Sequence, residues 1–199
     1  MIENQFDKLL NIKTTGEQKG FMTSIHYHRY EPTPYSALET FFNEYNMSSH
    51  DQIVDFGCGK GRLNFYLHHH FKASVVGVEM NETFYLEALK NKQSYLNNYR
   101  NRGDRITFYC LLAEEYDISP NENKFYFFNP FTVQIFMTVI KNIMISFEKH
   151  PREIDLILYY PSEDYLFFLE NQTTFELVKE VNLLENNPNE RFLVYRLKN

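Results

Sequence analysis

Tryptophan is absent from the 199 residues, and there are only two cysteines, seven glycines and seven prolines. The two cysteines, Cys58 and Cys110, sit inside apolar segments and are too few for a disulfide framework. Both features suit a reducing, cytoplasmic setting. No run rich in Lys or Arg exists, and 20 basic against 26 acidic residues leave a net charge of −6. Such a surface has no general attraction for phosphate backbones, so nucleic acid is the less favoured partner and a small molecule or protein side chain the more favoured one. No stretch approaches the roughly 18 apolar residues of a membrane span. The opening MIENQFDKLLNIK lacks the apolar core of a signal peptide. Internal repeats and low-complexity tracts are also missing.

The chain does have core-forming residues. Hydrophobic residues make up 43% and charged residues 23%, with 19 Phe and 15 Tyr. That is enough for one domain to bury its own core without disulfide or metal staples.

The apolar pattern alternates between short runs and helical spacings. A short helix is expected around Phe6, Leu9, Leu10 and Ile12. A second is expected to start at Thr33-Pro34-Tyr35, with Thr as cap and Pro in the first helical position. Strand-like runs follow at Gln52 to Phe56, Ala73 to Val78, Ile106 to Leu112, Lys124 to Phe128 and Ile154 to Tyr159. Helical stretches lie between them at Arg62 to Phe71, Asn81 to Arg100, Thr132 to Lys149 and Glu163 to Glu170. Phe175 to Leu184 and Arg191 to Leu197, joined by Glu185-Asn186-Asn187-Pro188-Asn189, give a hairpin signal. Five strands, each taken with the segment after it as a βα unit, predict a doubly wound, mostly parallel sheet. The hairpin adds an antiparallel strand. Residues 1–50 form a leading helical segment or lid and residues 51–199 the sheet domain. Ligands of such sheets bind at the carboxyl ends of the strands.

The loop after the first strand is Asp55-Phe56-Gly57-Cys58-Gly59-Lys60-Gly61. Alternating glycines let the backbone turn tightly and approach a ligand closely. The third glycine of a dinucleotide fingerprint would fall at Arg62, so G-x-G-x-x-G fails, and no phosphate loop is present. A nicotinamide-dependent enzyme is therefore disfavoured. D-x-G-x-G-x-G after an apolar strand resembles the first motif of class I, seven-strand S-adenosylmethionine-dependent methyltransferases.

The resemblance covers about residues 50 to 199. It implies a Rossmann-like sheet in the order 3-2-1-4-5-7-6 with S-adenosylmethionine as cofactor. It also implies that Asp55, Phe56, Gly57, Cys58, Gly59 and Gly61 surround the methionine and ribose. A carboxylate such as Asp55 can pair with the cofactor's ammonium. Glu79 ends the second strand, 18 residues past Gly61, where an acid accepts ribose hydroxyls. Met80 would pack on adenine. Where the family has an Asp, after the third strand, this chain has Leu112, so Ala113 or Glu114 takes over the adenine contact. Thr33, at a helix start before the sheet, would meet the cofactor's carboxylate through backbone amides.

Asn129-Pro130-Phe131, after the fourth strand, is similar to the [DNS]-P-P-[YFW] motif of amino-group methyltransferases, with one proline missing. The resemblance implies that these three residues face the acceptor, with Asn129 also near the cofactor. A missing proline and Leu112 leave open a second reading, a non-catalytic cofactor-binding module or partner subunit. His68-His69-His70 do not make a metal site, because successive helical residues point about 100° apart. His26 and His28 are expected at the surface.

Overall fold

The computed structural model describes residues 2–16, 31–99, 105–183 and 187–198. His26 and His28, the end of the Asn81 to Arg100 helix, and Leu184, Glu185 and Asn186 of the hairpin connection lie outside them. Among the described residues, six α-helices and seven strands are ordered α1 (Ile2–Leu10), α2 (Tyr35–Glu44), β1 (Gln52–Phe56), α3 (Arg62–Phe71), β2 (Ser74–Val78), α4 (Glu82–Asn98), β3 (Ile106–Tyr109), β4 (Lys124–Phe127), α5 (Val133–Lys149), β5 (Ile154–Tyr159), α6 (Glu163–Gln172), β6 (Glu176–Asn182) and β7 (Arg191–Leu197). The sheet order is β3-β2-β1-β4-β5-β7-β6. β1 to β5 pair in parallel, and β7 runs antiparallel between β5 and β6.

Strand periodicity divides the core into two layers. Val54, Phe56, Phe125, Phe127, Leu156 and Leu158 face α5 and α6. Ile53, Tyr126, Ile157 and Tyr159 face the opposite layer, which α1 to α4 fill with Leu10, Tyr35, Phe41, Phe65 and Tyr95. The leading helices therefore share the core of the sheet. Asp55 pairs in register with Tyr126 on the neighbouring strand, which puts an acid on the α1–α4 side at the carboxyl end of β1.

Below this, at the amino ends of β4 and β5, Asp155 is fully buried. It accepts hydrogen bonds from Tyr45 Oη, from Lys124 Nζ at 2.7 Å and from Arg196 at 2.7 and 2.9 Å. Burial alone would raise its pKa. The Arg196 hydrogen bonds and the charge and hydrogen bond of Lys124 outweigh burial and hold it below the usual carboxylate value.

Three local expectations shift. β3 ends at Tyr109, and Ala113–Glu115 form a single 3-10 turn, so β3 reaches β4 with no long helix. Pairing with β2 stops at Val78–Tyr109, and the apolar run beyond it has no strand to join. α2 starts at Tyr35 with Pro34 as its N-cap. The Thr33 hydroxyl does not cap the helix and bonds Tyr126 Oη instead, at 2.7 Å. Asn81 is the cap of α4, its Oδ1 accepting from Thr83 and Phe84 N–H. Among the described residues, no helix is long and apolar enough to cross a membrane.

Candidate active site

The β1–α3 loop turns through three left-handed glycines, Gly57 (φ 79°), Gly59 (φ 53°) and Gly61 (φ 83°). Space demands glycine at two of them. A Cβ on Gly57 would stand 2.7 Å from Pro130 Cβ, and one on Gly61 would stand 2.7 Å from the Phe108 ring. The first contact brings the glycine loop against the loop that follows β4. Gly57 N–H is anchored on Val78 O at 2.8 Å, so the turn is tied to the end of β2 as well.

The Glu79 carboxylate is held in this turn. Oε2 accepts Gly59 N–H at 2.9 Å and Oε1 accepts Asn81 N–H at 2.8 Å. Each oxygen keeps a lone pair for a further donor. Burial raises the Glu79 pKa, and the backbone donors partly oppose that rise. Asp55 is only 5% exposed, yet no described residue donates a hydrogen bond to its carboxylate. Burial, followed by the nearby Glu79 charge, pushes its pKa well above the usual value. A carboxylate this buried and without a donor fits a cationic ligand group. The Cys58 thiol is also pushed up by burial and by the charges of Asp55 and Glu79, which keeps it protonated and unsuited to nucleophilic attack.

Asp55, Gly57 and Cys58 line a narrow cleft together with Glu31, Thr33, Arg62, Tyr126 and Phe128. Arg62 is the one cation among the described lining residues. It opens α3 directly after Gly61. Its Nε donates to Thr14 Oγ1 at 2.8 Å, its Nη1 donates to Thr33 O at 3.2 Å and pairs with Glu3, and its guanidinium lies 4.5 Å from the Tyr35 ring centre. Asp7 fixes the same segment by accepting from Thr14 and from Tyr35 Oη.

The residues predicted from sequence divide into groups. Thr33, Asp55, Gly57 and Cys58 meet at the cleft, and Gly59, Gly61 and Glu79 build the turn beside it. Met80 is half-buried next to Glu79. Phe56 is in the core under α5, so it offers the site only backbone. Ala113 is likewise in that core, and Glu114 borders a separate cavity of about 440 Å³ between the 3-10 turn and α5. Asn129 adopts φ 40°, a left-handed conformation that Asn tolerates better than most residues and that recurs at functional sites. Pro130 touches the glycine loop.

Phe131 requires a correction. It is fully buried in the α5–α6 layer, where its carbonyl accepts from Tyr165 Oη. The aromatic residues that line the cleft are Tyr126 and Phe128, on the other face of the sheet. In the sequence Arg62 stands out only as the residue in place of a fingerprint glycine and as the start of a helix, not as a site residue. Its signal was a lone cation placed directly after the glycine loop. Of the three consecutive histidines, His68 turns in to Ala73 O, His69 packs on Tyr99 and His70 on Tyr66.

A seven-stranded sheet in this order, closed by an antiparallel β7 and with an acidic glycine loop after β1, is the class I S-adenosylmethionine-dependent methyltransferase fold, and this chain has it. Residues 34–119, from just before α2 through the glycine loop to just before β4, match the model of a family described as a methyltransferase domain. No curated protein matches the chain by sequence. Among solved structures, it is similar to an RNA methyltransferase from Salinibacter ruber in complex with S-adenosyl-L-homocysteine. That pair has 19% identity and a TM-score of 0.57, covering 83% of this chain and 92% of the other. It is also similar to M. capricolum TrmK in complex with the cofactor product S-adenosyl-homocysteine (14% identity, TM-score 0.55, 84% and 69% covered). A third is a putative rRNA-methylase from Clostridium thermocellum (15% identity, TM-score 0.57, 85% and 97% covered).

Proposed function

We propose that this protein binds S-adenosylmethionine in the Asp55 cleft and transfers its methyl group to an acceptor presented by the loop after β4. The observation that carries this reading is the Asp55 carboxylate, buried at a strand's carboxyl end with no donor among the described residues. Asp55 takes the ammonium of the cofactor's amino-acid end, a charge-assisted contact. Glu79, already oriented by Gly59 and Asn81, uses its remaining lone pairs for the ribose hydroxyls. Met80 packs on adenine, with the Ala113 backbone as the adenine's polar neighbour. Gly57, which has no side chain, lets Pro130 of the acceptor loop pack directly against the cofactor loop.

The bound cofactor supplies a sulfonium-activated methyl, so the protein's task is positioning and exclusion of water. Asn129 and Pro130 orient the acceptor atom toward that methyl, and the Phe128 face stabilises positive charge there. An acceptor nitrogen in a small molecule or protein side chain suits the acidic surface and the Glu31 wall. The names of two of the three solved structures, an RNA methyltransferase and a putative rRNA-methylase, favour a second acceptor class, RNA.

Tritiated S-adenosylmethionine offered with separate small-molecule, protein and RNA fractions distinguishes these. We expect label in the small-molecule or protein fraction, lost in Asn129→Ala while S-adenosylhomocysteine still binds. Label in RNA replaces the acceptor class. Binding without transfer to any fraction makes the protein a cofactor-binding module, and absence of binding removes the reading altogether.

A further inference from the structure

Glu3, on α1, occupies a site that the rest of the molecule has built for a carboxylate. One of its oxygens pairs with Arg62 Nη1, and the other accepts Tyr35 N–H, the first amide of α2, at 2.9 Å. The two donors are fixed. The Arg62 side chain is 5% exposed and is held by Thr14, Thr33 O and the Tyr35 ring, whereas the Glu3 side chain is 35% exposed. Arg62 Nη2 has no hydrogen-bond partner among the described residues. Arg62 also lines the cleft that contains Asp55, and no ion pair joins the two. A buried anion without a donor and a buried cation with a spare donor, set apart in one cleft, are complementary to the two ends of an α-amino acid.

We infer that Arg62 grips the carboxylate of the cofactor's methionine end, in exchange for Glu3. This rests on the S-adenosylmethionine reading above and adds Arg62 to the α2 amide of Tyr35, which the departure of Glu3 frees in the same exchange. Arg62 is held ready for a ligand by its own hydrogen bonds, and Glu3 keeps the site neutral until the ligand arrives. Leaving a buried guanidinium unpaired in the empty protein would be costly.

The test measures dissociation constants for two ligands, S-adenosylhomocysteine and its decarboxylated analogue, which keeps the ammonium but lacks the carboxylate. The proteins are wild type, Arg62→Ala, Arg62→Lys and Glu3→Gln, each checked for folding by thermal denaturation. Arg62→Ala is expected to weaken S-adenosylhomocysteine roughly ten- to a hundredfold, the loss of a charged hydrogen-bonded contact. Its affinity for the analogue should stay close to wild type. Arg62→Lys should retain part of the preference for the carboxylate. Glu3→Gln leaves every arginine contact to the ligand intact and should tighten S-adenosylhomocysteine severalfold without tightening the analogue. Equal losses for both ligands in the Arg62 variants would make Arg62 a tie for α1 and overturn the inference. Unchanged or weaker S-adenosylhomocysteine binding in Glu3→Gln would overturn the exchange even if Arg62→Ala failed to fold. Failure of the wild type to bind S-adenosylhomocysteine would instead sink the cofactor reading on which the inference stands.

Discussion

At Asp55 the proposed cofactor contact is set against stability at a single residue. Its carboxylate is buried beside Glu79 with no donor among the described residues, so the folded protein holds its proton more tightly than the unfolded chain does. Its contribution to stability is therefore greatest in acid. It declines as the pH rises from the ordinary carboxylate pKa through the raised value. Asp55→Asn removes that decline and should stabilise the unliganded protein at neutral pH by about 1 kcal/mol, or roughly 2–4 °C in Tm. Thermal denaturation of both proteins from pH 4 to 8 checks this, with the two curves converging at the acid end. Gly57 makes a second test. With φ 79° and Pro130 in the way of any Cβ, Gly57→Ala should cost about 1–3 kcal/mol in urea denaturation. It should also separate the glycine loop from the Asn129 loop, weakening cofactor binding more than a distant change of equal stability cost would.

Among the elements, β5 carries the strongest anchor outside the cleft. Asp155 joins it to β4 through Lys124, to β7 through Arg196 and to the end of α2 through Tyr45. Asp155→Ala should destabilise the protein by about 3–5 kcal/mol, because it leaves two cations facing a buried gap. Because the carboxyl is held below its ordinary pKa, the stability it supplies is present above that value and lost as the pH falls through the lowered one. The wild type should therefore lose stability on acidification more steeply than the Ala variant, as acid titrations of both by circular dichroism would show.

The elements also show what could be read from sequence and what could not. β1, α3, β5 and β7 have the bounds their apolar runs predict, since each run ends where a glycine turn or a polar loop interrupts it. β3 falls short of Leu112 because a strand lasts only as long as its neighbour, and β2 ends at Val78. Phe131 misleads for a related reason. An aromatic after Asn-Pro looks ready for a ligand, but which face of the sheet it meets depends on how α5 and α6 pack. Arg62 was out of reach because its partners, Glu3, Thr14, Thr33 and Tyr35, lie far away in sequence. The acid–glycine loop was legible because its chemistry is local: three positive-φ positions and a strand-end carboxylate specify the turn on their own.

Over the whole molecule, the parallel sheet directs five strand ends toward one edge, and α1 and α2 share the core of the sheet beside that edge. Arg62 and Asp7 make this packing polar as well as apolar, so α1 and the glycine loop are ordered together. The fold thereby delivers a buried anion and a buried cation to one cleft at the carboxyl ends of the strands, with a clamped acid in the turn beside it. The most direct test of this account is the dissociation constant of S-adenosylhomocysteine, measured by calorimetry for the wild type and for Asp55→Ala, with NAD as the competing dinucleotide. The account predicts micromolar binding by the wild type, no NAD binding, and a loss of roughly tenfold or more in the folded variant. Equal affinity in the two proteins, or binding of NAD in place of S-adenosylhomocysteine, would contradict it.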